Sequence, residues 1–208
     1  MGLITVACVL KSGGIYTHEW VKKLQASVAE YSPDCRFVCL TDMPVPQCEN
    51  IPLAQDWPSW WSKINLFQPS VLTGPTIYLD LDTIVTGDIS VLADVHGFHM
   101  VQDFNHPDLF NSSAMFWKRP PVGIYYDMIK NSGSIITKYS ENMGGKIGDQ
   151  AYISDSMGKM GQEIRTFPKE LVVSYKRDAI KGPPKGAVAV TFHGKPKMHE
   201  AGGWAEKA

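Results

Sequence analysis

The sequence predicts an α/β fold: one domain with a mostly parallel, Rossmann-like central sheet flanked by helices. Two observations carry this expectation. Apolar, strand-like runs alternate with amphipathic helical segments through the first half of the chain, which is the order that builds βαβ units. The strand signals are continuous rather than alternating, as suits strands buried on both faces of a sheet. A length of 208 residues fits a single domain.

The elements follow in order. Leu3 to Leu10 is a continuous apolar run with β-branched residues, the first strand. Lys11-Ser12-Gly13-Gly14 is a turn. Thr17 offers a helix N-cap, and Trp20, Val21, Leu24, Val28 and Tyr31 recur at helical spacing before Pro33. Arg36 to Thr41 is a second strand, and Asp42 to Pro52 reads as a proline-rich loop. A helix is expected from about Ser59 to Gln68, with Trp60, Ile64 and Phe67 on one face and Pro69 ending it. Thr76 to Leu81 is a third strand, and Phe98 to Gln102 and Ser112 to Trp117 are further ones. Pro120-Pro121 opens a helix carrying Ile124, Tyr125, Met128 and Ile129. Asn131 to Gly148 is glycine-rich, with a helix after Asp149. Late strands are expected at Leu171 to Tyr175 and Val188 to His193.

Composition narrows the function classes. Twenty basic residues against 21 acidic ones leave a formal net charge of −1. That balance argues against nucleic acid as a partner, because phosphate-backbone binding needs a clear Lys/Arg excess. No apolar run approaches the ~18 residues of a membrane-spanning helix, and the apolar start has no basic lead or small-residue cleavage site. A cytoplasmic protein is the expectation. Cys8, Cys35, Cys39 and Cys48 contain no CxxC pair and read as reduced, structural thiols.

The sharpest chemical feature is Ile77-Tyr78-Leu79-Asp80-Leu81-Asp82-Thr83. On an extended chain residues i and i+2 point to one side, so the Asp80 and Asp82 carboxylates are expected to converge where a buried strand emerges. Open α/β sheets bind ligands at that place, and two hard oxygen donors suit Mg²⁺ or Mn²⁺. A solvated strand end explains an isolated pair as readily. Three further features add weight. Val190 to Lys197 places His193, Gly194, Lys195 and Lys197 after an apolar strand, supplying an imidazole ligand and phosphate-binding cations. Asp149-Gln150 stands at a helix start, where an ordinary N-cap is the simpler reading. Trp57-Pro58-Ser59-Trp60-Trp61-Ser62-Lys63 sets three indoles beside a lysine that can act as a point charge toward phosphate. Asn111 is a hydrogen-bonding candidate at a strand start.

The ordered series WSKINLF, IYLDLDTIVTGDI, FNSSAMFW, GDQAYIS and FHGKPK, over roughly residues 57 to 198, resembles the GT-A fold nucleotide-sugar glycosyltransferases. It is most similar to the retaining family (family 8-like) that contains glycogenin and the bacterial lipopolysaccharide galactosyltransferases. The resemblance implies a metal-dependent glycosyltransferase moving a sugar from a UDP-sugar to a glycan, lipid or protein acceptor, with retention. It assigns Mn²⁺ (or Mg²⁺) to Asp80, Asp82 and His193, and donor-sugar contacts to Asp149 and Gln150. Nucleotide and phosphate contacts fall to Leu10, Lys11, Tyr16, Lys63, Leu81, Asn111, Gly194 and either Lys195 or Lys197. It also divides the chain into a nucleotide-binding half, 1–100, carrying the DxD, and a donor-sugar and acceptor half, 101–208. Ser113 stands where the family pattern has glycine, and the spacing after His193 is shorter than in glycogenin-like members. The alternatives are a haloacid-dehalogenase-like phosphatase, whose signature is also a strand ending in DxD, and a sugar- or nucleotide-binding module without turnover.

Overall fold

Strand β1 (Thr5–Leu10) is an inner strand of the main sheet in the computed structural model, which describes residues 2–141 and 144–206. Asn142 and Met143, inside the glycine-rich stretch 131–148, lie outside the described residues. β1 pairs in parallel with β2 (Arg36–Thr41), register Thr5 to Arg36 through Leu10 to Thr41. β2 pairs in parallel with β3 (Glu49–Pro52). On its other edge β1 pairs in parallel with β4 (Thr76–Leu79). Between them runs helix α1 (His18–Tyr31), which buries Val21, Leu24 and Val28 but leaves Tyr31 40% exposed, outside the stripe its spacing predicted.

The period-2 alternation of β1 splits the core into two layers. Val6, Cys8 and Leu10 pack with Val21, Leu24 and Val28 of α1. Ala7, on the opposite face, packs in a layer with Trp61, Ile64 and Phe67. Each fully buried Leu, Ile or Phe contributes about 1.5–3 kcal/mol, so the two layers together hold the sheet rigidly under the site.

The chain continues through β5 (Thr83–Val85), β6 (Phe98–Gln102) and β7 (Phe110–Trp117). Helix α2 (Val122–Ser140) follows, broken at Asn131, and then α3 (Gly148–Lys159) and β8 (Ile164–Thr166). β9 (Val172–Ser174), the short α4 (Tyr175–Asp178) and β10 (Ala189–Thr191) come last. The main sheet has the order β3-β2-β1-β4-β7-β6-β8. β7 is antiparallel to both neighbours and the other pairs are parallel. A second sheet, β5-β10-β9, lies against the end of β4.

The structure departs from the sequence expectation where strands are short or at edges. β3 was read as loop because an edge strand exposed at three of its four residues has no apolar pattern, and Pro52 is tolerated at its end. β5 and β8 are three residues each, too short for a periodic signal. Segment Ser59–Phe67 is a 3-10 helix rather than an α-helix. Trp61 to Phe67 are buried throughout, and Trp60 near the start of the segment is 50% exposed. The Asn65 side chain supports this tighter coil by accepting from Gln55 N (2.9 Å) and donating to Ser62 O (3.0 Å). The four cysteines are unbridged, and among the described residues no helix is long and apolar enough to cross a membrane.

Candidate functional site

β1 lies between β2 and β4, so successive connections leave it in opposite directions and a crevice opens at the carboxyl ends of β1 and β4. A cleft of about 1150 Å³ occupies this place. Of the residues singled out in the sequence, Lys11, Tyr16, Lys63, Asp80, Leu81, Asp82, Asn111, Asp149, Gln150, His193, Gly194 and Lys197 all line it. Leu10 is fully buried in the core and Lys195 is exposed outside the cleft. Of the two candidate phosphate lysines, Lys197 is the one whose side chain reaches the cleft.

The deepest feature is Lys63, 6% exposed. Its Nζ lies 3.0 Å from Asp80 Oδ1 and 3.0 Å from Asp149 Oδ2, and it donates to Ser112 Oγ at 2.9 Å. Ser112 Oγ in turn donates to Asp149 Oδ2 at 2.6 Å, and Tyr78 OH donates to Asp80 Oδ1 at 2.5 Å. Burial alone would push Lys63 down, but the Asp149 and Asp80 carboxylates outweigh it and hold it above the ordinary lysine value. Lys63 is thus a fixed cation that joins the DxD to the start of α3.

Asp82 is held by a separate set. Tyr16 OH donates to Asp82 Oδ2 at 2.6 Å, and Lys197 Nζ donates to the same oxygen at 2.8 Å and to Tyr16 OH at 3.0 Å. Burial, then the Asp80 charge, raises the Asp82 carboxyl above the usual range despite Lys197 and Tyr16. The two aspartates do not sit on an extended strand as expected. β4 ends at Leu79, and Asp80–Asp82 forms the step between the two sheets. Asp80 N donates to Ser113 O (2.8 Å) and Phe192 N donates to Asp82 O (2.9 Å), which ties the step to both sides of the cleft.

His193 follows β10 and faces the cleft, but its ring stacks on Phe104 (centroids 4.7 Å apart, 13° between planes) and its Nε2 pairs with Ser174 Oγ at 2.7 Å. Burial, then the Lys176 charge, pushes it down to about 4, so it is neutral at pH 7. Among the described residues no three His, Cys, Asp or Glu side chains converge on one metal position. Asp80 and Asp82 are hard oxygen donors of the kind a divalent cation takes, each here paired with a lysine, and His193 is paired with Ser174.

The sequence reading missed three supporting groups. Asp42, at the end of β2, accepts from Ser12 N (2.8 Å) and Ser12 Oγ (2.7 Å) and pairs with Lys11, fixing the loop after β1. An acid at the end of the second strand of a Rossmann-like unit is the signal that points to it. Ser112 and Tyr78 carry no motif that marks them, because their roles depend on partners distant in sequence. The three tryptophans also divide: Trp57 and Trp61 are core residues packed on Tyr125 and Tyr152, and Trp60 alone lines the cleft.

Gly148 opens α3 with φ +69°, and a Cβ there would stand 3.1 Å from Trp60 Nε1. Gly148→Ala is expected to cost about 1–2 kcal/mol of stability, the left-handed penalty of a side chain. It is also expected to lower any donor turnover by displacing Asp149 and Gln150. Urea denaturation beside a turnover assay checks both.

In comparisons with solved structures, the chain matches the galactosyltransferase LgtC, solved with donor and acceptor sugar analogs. The TM-score is 0.65 at 13% identity, over 98% of this chain and 93% of that one. It matches the glycosyltransferase GlyE of Streptococcus pneumoniae TIGR4 with TM-score 0.66 and 13% identity, over 93% of this chain and 56% of that one. It matches the bifunctional glycosyltransferase WbbM with TM-score 0.59 and 11% identity, over 94% of this chain and 46% of that one. At these identities the likeness is one of fold, and the fold is the GT-A-like architecture that the motifs implied. No protein-family model matches the sequence, and no curated protein does.

Proposed function

We propose that the protein is a glycosyltransferase that takes a sugar from a UDP-sugar donor. The observation that carries this reading is the composition of one cleft at the carboxyl ends of β1 and β4. The Asp80 and Asp82 carboxylates, Lys11, Lys63 and Lys197, and the Asp149-Gln150 pair line one space large enough for a nucleotide sugar. The GT-A-like fold supports it.

In this reading the loop after β1, held by Asp42, receives the nucleoside, and Asn111 lines the cleft at the start of β7. Asp80 and Asp82 hold Mn²⁺ or Mg²⁺, which when bound neutralises charge on the diphosphate as a Lewis acid. Lys197 supplies an ammonium group to the same diphosphate, leaving Asp82 to do so. Asp149 is held still by Lys63 and Ser112, so its carboxyl group orients donor-sugar hydroxyls with no reorganisation during reaction. Gln150 stands next to it. The anomeric carbon–oxygen bond breaks with its electron pair on the diphosphate. An acceptor hydroxyl forms the new bond and its proton leaves to the diphosphate oxygen. Retention at the anomeric carbon is part of the proposal, on the strength of the motif resemblance.

The test is a panel of UDP-sugars, UDP-galactose and UDP-glucose first, incubated with Mn²⁺ and followed by release of UDP. p-Nitrophenyl phosphate serves as the rival substrate. Release of UDP that depends on Asp149 is expected. Cleavage of the phosphate ester without UDP release would replace this reading by the phosphatase one.

A further inference from the structure

We infer that Trp60 is the stacking platform of an acceptor subsite, and that the acceptor is a carbohydrate bound through the apolar face of a sugar ring. The inference rests on the glycosyl-transfer reading and names the acceptor class which that reading leaves open.

Trp60 is 50% exposed, whereas its neighbours Trp57 and Trp61 are 7% and 2% exposed. The rest of the segment, Trp61 to Phe67, is buried throughout, and Trp60 near its start is its half-exposed apolar residue. The largest aromatic side chain stands there, on the wall of the cleft.

Its surroundings decide what it faces. The indole Nε1 edge lies against Gly148, the residue immediately before Asp149 and Gln150. Trp60 is therefore attached to the part of the cleft assigned to the transferred sugar. Asp56, Ser59 and Gln150 line the same cleft. An exposed aromatic face complements a pyranose ring, which offers C–H bonds on one face and hydroxyls around its rim. The donor sugar is already met by Asp149 and Gln150 from within the cleft. A half-exposed indole beside Gly148 is in place for the ring that arrives from solvent.

A nucleobase also stacks on indole, and the experiment separates the two. Saturation-transfer NMR is recorded with methyl β-D-galactopyranoside, methyl β-D-glucopyranoside and N-acetylglucosamine, each with UDP and Mn²⁺ present. The wild type, Trp60→Ala and Trp60→Phe proteins are compared, and UDP is titrated separately into each. The wild type is expected to bind at least one glycoside. Trp60→Ala should weaken that binding on the order of tenfold, the effect of losing one stacked ring, and Trp60→Phe should keep most of it. Where Trp60→Ala melts early, Trp60→Gln supplies the same comparison.

Glycoside binding unchanged in Trp60→Ala overturns the inference. So does a loss of UDP affinity as large as the loss of glycoside affinity, which would put the base on the indole. A wild type that binds UDP but none of the glycosides also overturns it and leaves the donor reading standing. A wild type that binds neither overturns both.

Discussion

Replacing Lys63 with methionine is expected to destabilise the fold by about 3–5 kcal/mol, the usual cost of removing one partner from a buried ion pair, and to abolish donor turnover. Methionine nearly fills the volume, so a cavity is not the cause. The loss comes from two carboxylates left without their cation. It falls mainly on Asp149, whose side chain is 9% exposed, because Asp80 at 30% keeps some contact with water. Adding Asp149→Asn to Lys63→Met should therefore restore part of the stability, a coupling that a double-mutant cycle reads directly.

The pH dependence has a defined sign. Lys63 is held above its ordinary value in the fold. Its contribution is therefore complete below the unfolded lysine value of about 10.4 and is lost as pH rises through the higher folded value. The difference between wild type and Lys63→Met should stay flat across neutral pH and shrink only in alkaline solution. Urea midpoints at neutral pH and above pH 10 test this. A Lys63→Met protein as stable as wild type at neutral pH would contradict the account of the site.

The second expected result runs the other way. Asp82→Asn should reduce turnover by about two to three orders of magnitude, the scale of losing one fixed electrostatic group in a water-poor site, while changing stability by less than about 1 kcal/mol. Asn has nearly the same shape, and its amide oxygen still accepts from Tyr16 OH. Burial and Asp80 already disfavour the Asp82 charge, so removing it relieves that repulsion. Lys197, 25% exposed, recovers hydration when it loses its partner. Side-by-side denaturation and turnover measurements of the two variants should thus separate Lys63, which holds the fold and the site together, from Asp82, which serves the site. A large loss of stability in Asp82→Asn would refute that division.

The parts of the fold legible in the sequence are those with strong periodicity. β1, α1, β2, β6 and the DxD strand come from continuous apolar runs or a helical stripe, and their boundaries lie within two residues of the observed ones. The second sheet was only half visible. β9 and β10 were expected, but β5 is three residues long and follows the DxD directly, and no strand was expected there. The turn between β4 and β5 matters for the site. It gives Asp80 and Asp82 different lysine partners, Lys63 and Lys197.

Residue types with evident chemistry were found and are gathered at one cleft. The pairings among them were hidden. Nothing local links Lys63 to Asp149, or Tyr16 to Lys197, because each contact exists only after β4, β7, α3 and the segment following β10 have assembled. Trp60 shows the same limit. A helical period of 3.6 places it inward beside Ile64, whereas it is half exposed at the start of a segment whose residues 61–67 are all buried.

The central claim, a nucleotide-diphosphate site built on Asp80 and Asp82, is tested most directly by calorimetric titration of UDP with and without Mn²⁺. The proteins to compare are the wild type and the Asp80→Ala/Asp82→Ala double variant. The account predicts wild-type binding that requires the metal and disappears in the double variant. A wild-type protein that binds no UDP with either Mn²⁺ or Mg²⁺ present, or a double variant that binds it as well as wild type, would contradict it.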